Sequence, residues 1–486
     1  MKYFAHTFLS IFLILMLLPQ YIFFHSLADF VTIIFITIFL FLLAFVNRII
    51  FALFFIFFLI ISVIKVHLYL HWGDAIDLIS RLNVFLQSPK SETEEYLRTY
   101  MYNSDYLLII SATVLFFLVI KTITYIEQKQ SLKSYLLIVV FFAILQNQKP
   151  LNLVTYYFIS SETSQAISKR KELLLKEKDL EVKQCKIDYD TVLIIQGESA
   201  NKNHMSIYNY SIETTPFLNG LSKMDNFYKY DIIAPSNQTR YSVPMMLTDA
   251  NVNSWYKQFS NSVSIVTKLK RCGFQTQWIS TQGRRGLHED SITSIAEEAS
   301  SMHFLDNKTK QDEEILEYLR INNENQKNKQ AYIFHIMGSH FRYSSRYTEH
   351  RLYNKANNIT NEYDNSIFST DFLLKKIFKH FSNNKKILLI YFSDHGEVVS
   401  NNKSGHGYYP GYKDEYDIPF IMYSTISNNR LKFSEKKRTK LNGESINKIL
   451  EYVIGISNDN NFSYSSEVFS LSPKNKINYE DLDFYH

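Results

Sequence analysis

A chain of 486 residues is too long for one compact core, so two or more domains are expected. Its formal net charge of only +5 gives no case for nucleic-acid binding. Two cysteines, Cys185 and Cys272, allow at most one intramolecular disulfide, so the fold must be held by its core.

Apolar runs crowd the first 150 residues: 7–24, 30–46, 49–64, 106–120 and 135–145. A bilayer core takes ~20 apolar residues per helix, with ~17 acceptable. The first three runs qualify. Run 106–120 reaches the length by extending through Tyr125 if Lys121 snorkels. Run 135–145 is a short span or an interfacial helix. Run 7–24 also reads as a signal peptide, with Ser26-Leu27-Ala28 as a cleavage site. Lys2, Arg48, Lys121, Lys129 and Lys133 share one side of the bilayer if the N-terminus is cytoplasmic. Five spans then place everything after about residue 148 on the far side, and losing one span inverts that. The expectation is an α-helical transmembrane domain over 1–147 with about five helices, and a partly helical connector over 148–190. Within the connector, "SQAISKRKELLLKEKDLEVKQ" (164–184) has a partial apolar face of Leu173, Leu174, Leu175 and Leu180. It reads as a solvated helix or as one lying on the membrane surface.

From 191 onward, short apolar runs alternate with longer amphipathic stretches: "TVLIIQ" (191–196), "SVSIVTKL" (262–269, helical), "FQTQWIS" (274–280), "QAYIFHIM" (330–337), "KILLIYF" (386–392) and "IPFIMYS" (418–424). Continuous apolar runs of this length predict strands buried on both faces, hence a parallel sheet in a doubly wound α/β domain over 191–486.

Ligands of open α/β sheets bind at the carboxyl ends of the strands. Three strands deliver Glu, His or Asp there: Glu198 after the first, Ser339 and His340 after the third, and Asp394, His395 and Glu397 after the fourth, with His406 close behind. Any one of these alone reads as a helix cap or a core histidine. Together they point to a metal site, and carboxylates with imidazoles but no thiolate suit Zn²⁺ or Mn²⁺. His335, inside its strand, reads as core or support. A nucleophile is supplied by "APSNQTRYSVPMMLT" (234–248), where Thr239 sits at a helix start, or else merely caps that helix.

The segments "GESANKNHMSIYNYSIETTPFL", "QTRYSVPMM", "HIMGSH" and "SDHGE…GHG" resemble those of the bacterial membrane-anchored phosphoethanolamine transferases, of the alkaline phosphatase/sulfatase superfamily. The resemblance implies an alkaline-phosphatase-like α/β domain facing the periplasm, anchored in the bacterial inner membrane by several spans. It implies Thr239 as the nucleophile and Glu198, Thr239, Asp394 and His395 as ligands of the principal zinc. It implies His340 and His406 as histidines that hold phosphate, bind a second zinc or move protons, and Glu397 as an acid near substrate. Gln282, Arg284 and Arg285 fall where the family binds substrate. The implied reaction takes phosphoethanolamine from phosphatidylethanolamine onto Thr239, releases diacylglycerol, and passes the group to lipopolysaccharide or another envelope glycan. Pro235 and Met245 stand where the colistin-resistance type has cysteines flanking this segment, which leaves the acceptor open between lipid A, a core sugar and O-antigen. A phosphoglycerol transferase shares the same anchor, metal and threonine. A non-catalytic membrane scaffold with a retained fold is the reading from another class, opposed by the full set of site residues. "QTRYSVP" lacks the Cys or Ser arrangement that a true sulfatase converts to formylglycine.

Overall fold

The computed structural model describes residues 39–40, 43–72, 101, 103–125, 153–176, 185–283, 291–305, 312–322, 329–383, 386–433 and 440–485. These fall into two compact units, one up to Ser160 and one from Ser161 onward.

In the first unit, α1 (Arg48–Trp72) and α2 (Asn103–Ile123) contain neither Gly nor Pro. Asn47 caps α1, its Oδ1 accepting from Ile49 and Ile50 N–H at 2.9 and 3.1 Å. The helices pack through Phe51, Phe55, Phe58, Val119 and Ile123, and the rings of Phe55 and Phe116 stack at 6.0 Å. His67 Nδ1 meets Asp105 Oδ1 at 2.8 Å, so these polar groups satisfy each other inside an apolar pair. Outward, Leu53, Leu107, Ile110 and Phe117 are more than half exposed, a surface suited to lipid. Among the described residues α2, 21 residues and ~32 Å long, is the helix long and apolar enough to cross a bilayer, while α1 is apolar over Arg48–Ile64. Runs 7–24 and 135–145, and most of 30–46, lie outside the described residues.

The helix α3 (Leu153–Lys176) enters the second unit at Ser161. A solvated helix would leave every face exposed. Instead Ala166 and Ile167 join the core, and the fully buried Arg170 pairs with Glu298 while donating to the Phe259 and Ser262 carbonyls. Leu175 is exposed, and Leu180 lies outside the described residues. Further on, Cys185 forms a disulfide with Cys272, their Cα atoms 5.7 Å apart.

The unit continues, in chain order, with β1 (Thr191–Gly197), α4 (Pro216–Leu221), β2 (Phe227–Ile233), α5 (Thr239–Leu247), α6 (Trp255–Asn261), α7 (Ile265–Arg271), β3 (Gln275–Ser280), α8 (Ser291–Ala296), β4 (Ser301–Phe304), α9 (Glu314–Ile321), β5 (Gln330–His335), α10 (Ile359–His380), β6 (Ile387–Ser393), β7 (Val398–Val399), β8 (Ser404–Gly405), β9 (Asp417–Ser424), β10 (Leu441–Asn442), α11 (Ile446–Ile454), β11 (Glu467–Phe469) and β12 (Lys476–Asn478). An eight-stranded sheet runs β10-β2-β9-β6-β1-β5-β3-β4. Alternate residues of β1 serve opposite faces. Val192 and Ile194 join a cluster with α3, α5, α6, α7, α8 and α11, whereas Leu193 and Ile195 join one with α4, α9 and α10. Burial on both faces is why these strands read as unbroken apolar runs.

The sheet is mixed rather than parallel throughout. The strand β9 runs antiparallel to both neighbours, β6 and β2, and the other pairs are parallel. A parallel partner needs a crossover of a dozen or more residues to return to the starting edge, usually a helix. The segment between β6 and β9 carries only short turns and the β7–β8 hairpin. It stays at the carboxyl edge, so β9 must enter there and run back. Consequently β2 again points its carboxyl end, and the chain leading to Thr239, to the edge where β1, β3, β5 and β6 end.

Candidate metal centre and active site

At this edge Glu198, fully buried, immediately follows β1. The chain turns immediately, with Ser199 in the left-handed region at φ 56°. That turn is pinned by Tyr363, whose hydroxyl donates to Ser199 O at 2.7 Å and accepts from Asn201 N–H at 2.7 Å. A strained non-glycine backbone persists only where its surroundings over-determine it.

Thr239 is the first residue of α5, and the N-cap is Gln238, so Thr239 is not acting as a cap. Its Oγ1 lies 3.3 Å from both Glu198 carboxylate oxygens and 3.2 Å from His395 Nε2. His395 Nε2 is in turn 3.2 Å from Glu198 Oε1 and 3.3 Å from Asp394 Oδ2. The His395 Nδ1–H donates to the Gly396 carbonyl at 2.9 Å, which aims Nε2 at the two carboxylates. Asp394 Oδ1 is engaged by the Ser199 and His395 N–H groups at 3.1 and 2.7 Å. Its Oδ2, fully buried, has no well-formed hydrogen bond.

Two buried carboxylates, an imidazole nitrogen and a hydroxyl oxygen therefore converge. Zinc binds N and O at ~2.0 Å, and a tetrahedron of that radius has edges of ~3.3 Å. Four of the six separations are 3.2–3.3 Å, and the Glu198, Asp394 and His395 ligand atoms all lie within 4.8 Å of one another, so the donor set fits the metal in chemistry and approximate size. The protonation balance says the same. Burial opposes charge on His395, yet Asp394 and Glu198 push its imidazole up to about 10. Burial and the like charge of Glu198 push Asp394 up to about 7. Burial also acts to raise Glu198, but the His395 hydrogen bond and charge hold it well below the usual carboxylate range. The cluster demands a positive charge, which a proton or a metal ion can supply.

Beside it, His406 Nδ1 lies 2.9 Å from Glu397 Oε2, and Tyr343 OH donates to Glu397 Oε1 at 2.9 Å. Glu397 is fully buried, and burial pushes it up to about 8. It stands behind His406. The His406 ring is 4.0 Å from that of His395 and 6.1 Å from that of His340. His395, Glu397 and His406 form a second group of potential ligands sharing His395.

Gln282 is buried, and its Nε2 donates to Glu198 Oε2 at 3.0 Å and to the Ile336 carbonyl at 2.9 Å. That places its amide nitrogen on Glu198. Arg284 and Arg285 lie outside the described residues. His335 meets Ser280 Oγ at 3.0 Å and is a supporting residue.

Two acids have no local sequence signal. Asp312 accepts from Thr281 Oγ1 and from the Met337 and Gly338 N–H groups, fixing the turn that leads to His340. Gly338 has φ +50°, and a Cβ there would lie 2.8 and 2.9 Å from Glu198 O and N. Glu415 accepts from Gly407, Tyr408 and Tyr412 N–H and from Asn237 Nδ2. It thus joins the loop after His406 to the segment before Thr239. Only a remote acid beside an N–H-rich turn would have hinted at either.

A mixed α/β sheet with this carboxylate, imidazole and hydroxyl cluster at its carboxyl edge is an alkaline-phosphatase-like domain. A family model described as sulfatase matches residues 190–446, and the chain belongs to that family. The phosphoethanolamine transferase OpgE of Escherichia coli is 28% identical over 248 residues, covering 49% of this chain and 46% of the relative. The chain thus matches about half the length of such curated relatives. The zinc complex of the C-terminal periplasmic domain of E. coli EptC superposes with TM-score 0.55 at 21% identity, covering 62% of this chain and 97% of that one. The integral membrane protein lipooligosaccharide phosphoethanolamine transferase A of Neisseria meningitidis gives TM-score 0.59 at 17% identity, over 94% of this chain and 96% of that one. At these identities the structural likenesses establish the fold alone.

Proposed function

We propose that the chain is a metal-dependent phosphoethanolamine transferase of the bacterial inner membrane, with its second unit in the periplasm. Its donor is phosphatidylethanolamine, and its acceptor is lipopolysaccharide or another envelope glycan. The observation that carries the reading is the position of Thr239 Oγ1 among the carboxylate and imidazole ligand atoms, 3.2–3.3 Å from three of them. The relatives' names support the transferred group. The apolar outer face of α2 and the Cys185–Cys272 disulfide, which suits an oxidising compartment, support the location.

Glu198, Thr239, Asp394 and His395 would hold zinc, which supplies a lowered hydroxyl pKa and charge neutralisation at the phosphoryl group. Thr239 Oγ, its proton already lost to solvent at that lowered pKa, attacks the donor phosphorus as an alkoxide, and the phosphorus–oxygen bond to diacylglycerol breaks. His340 or His406 delivers the proton to the leaving alkoxide, with Glu397 holding His406 Nδ1–H so that Nε2 is the working nitrogen. An acceptor hydroxyl then attacks the phosphothreonine, its proton passes to the same histidines, and Thr239 is restored. A covalent intermediate lets the lipid product leave before a bulky acceptor enters.

The test is turnover of fluorescent phosphatidylethanolamine by the purified full chain. Wild type releases labelled diacylglycerol and Thr239→Ala does not; equal release by both sinks the mechanism. A parallel arm with phosphatidylglycerol reports the donor headgroup, and preference for it would overturn the assignment of ethanolamine.

A further inference from the structure

Glu397 and His406 are nine residues apart in sequence yet share a hydrogen bond. The β7–β8 hairpin explains this. Val398 pairs with Gly405 and Val399 with Ser404, so the flanking Glu397 and His406 face each other across the hairpin's base. Two residues per strand cannot hold a register alone, because even longer isolated hairpins are marginal in water. The turn adds little: Ser404 Oγ donates to Ser400 O at 2.6 Å, while Asn401 and Asn402 are exposed. The base is held by the fully buried Val398, by Val399 packed on the cluster that includes α10, and by Glu415, which grips the Gly407 and Tyr408 N–H groups. Toward the exposed tip the restraint is Lys403, three residues before His406.

The Lys403 ammonium donates to Tyr412 OH at 2.9 Å and sits 4.2, 4.7 and 5.7 Å from the ring centres of Tyr408, Tyr412 and Tyr485. Among the described residues no carboxylate pairs with it, so three aromatic rings carry this cation. The cage is itself fixed. Tyr408 OH donates to Ser404 O at 2.8 Å, tying one wall to the hairpin. Tyr485 N–H donates to Asp414 Oδ2 at 2.9 Å, and Lys413 N–H to Asp483 O at 2.9 Å. The walls therefore come from the loop after His406 and from a segment about eighty residues further along the chain.

We propose that Lys403 is a positioning residue: its ammonium, held in the cage of Tyr408, Tyr412 and Tyr485, locks the hairpin that presents His406 opposite Glu397. This rests on the role given to His406 above. Lys403 touches no reacting atom. It acts through the placement of a proton-handling histidine, so its loss should lower kcat and leave KM for the lipid and bound zinc unchanged.

The experiment measures kcat, KM, zinc content and melting temperature of the purified full chain. Lys403→Met keeps the length but not the charge, and Tyr485→Ala removes one wall; each is expected to lose about tenfold in kcat, with zinc content unchanged. Lys403→Arg and Tyr485→Phe keep cation and ring and are expected to stay near wild type. Wild-type kcat in Lys403→Met would overturn the proposal. So would a fall in zinc content or melting temperature that accounts for the lost activity, since the clamp would then serve the fold. His406→Ala separates the levels. Full activity there removes the role of His406 itself, whereas activity lost there but kept in Lys403→Met removes only the clamp.

Discussion

Replacing Gln282 by leucine tests how the centre is built. Gln282 uses its amide to grip Glu198 Oε2 at 3.0 Å and the Ile336 carbonyl at 2.9 Å, and it is almost wholly buried. Leucine has similar volume and no donor, so packing survives while Glu198 loses the group that fixes its second oxygen. Loss of such an outer partner typically costs 10–100-fold in metal affinity, or about 1.4–2.7 kcal/mol. The freed Ile336 carbonyl adds a stability cost of about 1–3 kcal/mol. Zinc affinity of the full chain would be read by competition with a chelator of known strength, and kcat and KM would be measured at saturating zinc. The expected outcome is weakened zinc binding with kcat largely recovered when zinc is in excess and KM for the lipid unchanged. Unchanged zinc affinity with a raised KM would refute the reasoning and return Gln282 to substrate contact.

Three further outcomes follow from the geometry. Gly338→Ala should lose zinc and melt earlier, because its φ of +50° and the 2.8 Å approach of the new Cβ to Glu198 O leave no room; zinc content and thermal unfolding check this. Burial pushes the Glu415 carboxyl up to about 7 against its four N–H donors. The folded state therefore holds a proton that the unfolded chain releases near the ordinary glutamate value. This contribution is complete below that value and is lost as pH rises through about 7, an upper bound of about 3 kcal/mol. Urea unfolding from about pH 5 to about pH 8 should show the loss in wild type and a flatter profile in Glu415→Gln. Serine at both Cys185 and Cys272 opens a loop spanning 87 residues and should lower the unfolding free energy by about 2–4 kcal/mol, seen as a lower urea midpoint.

The sequence disclosed most where burial was symmetric. The strands β1, β3, β5, β6 and β9 lie inside the sheet with both faces largely covered. Hence β1, β5, β6 and β9 are mostly apolar, while β3 is legible only through Phe274, Trp278 and Ile279 around its Gln and Thr residues. Segment 262–269 reads as helical, and it is so from Ile265 onward, with Ser264 capping α7. The strand β2 was missed because half its residues are exposed or partly so, which breaks the run in "FYKYDII". The strand β4 is short and only partly buried, and β10 has two residues. The reversed direction of β9 depends on what lies between two strands, and apolar runs carry no direction. At the site, the residues that converge were legible because each follows a strand on one edge. Their supports were not. Asp312, Glu415 and Arg170 each sit beside other charged residues, and partners such as Met337 for Asp312, Asn237 for Glu415 and Glu298 for Arg170 lie far away in the chain, so nothing local distinguishes them from solvated ones. Gln282 was placed at the site by resemblance, but the direction of its amide belongs to the folded chain.

The most direct measurement is tandem mass spectrometry of the purified full chain, quenched after incubation with phosphatidylethanolamine and no acceptor. The expected result is one phosphoethanolamine group on Thr239, absent from Thr239→Ala and discharged when an acceptor glycan is added. Turnover of the lipid without any adduct, an adduct on another residue, or a phosphoglycerol group in its place would contradict the proposed chemistry.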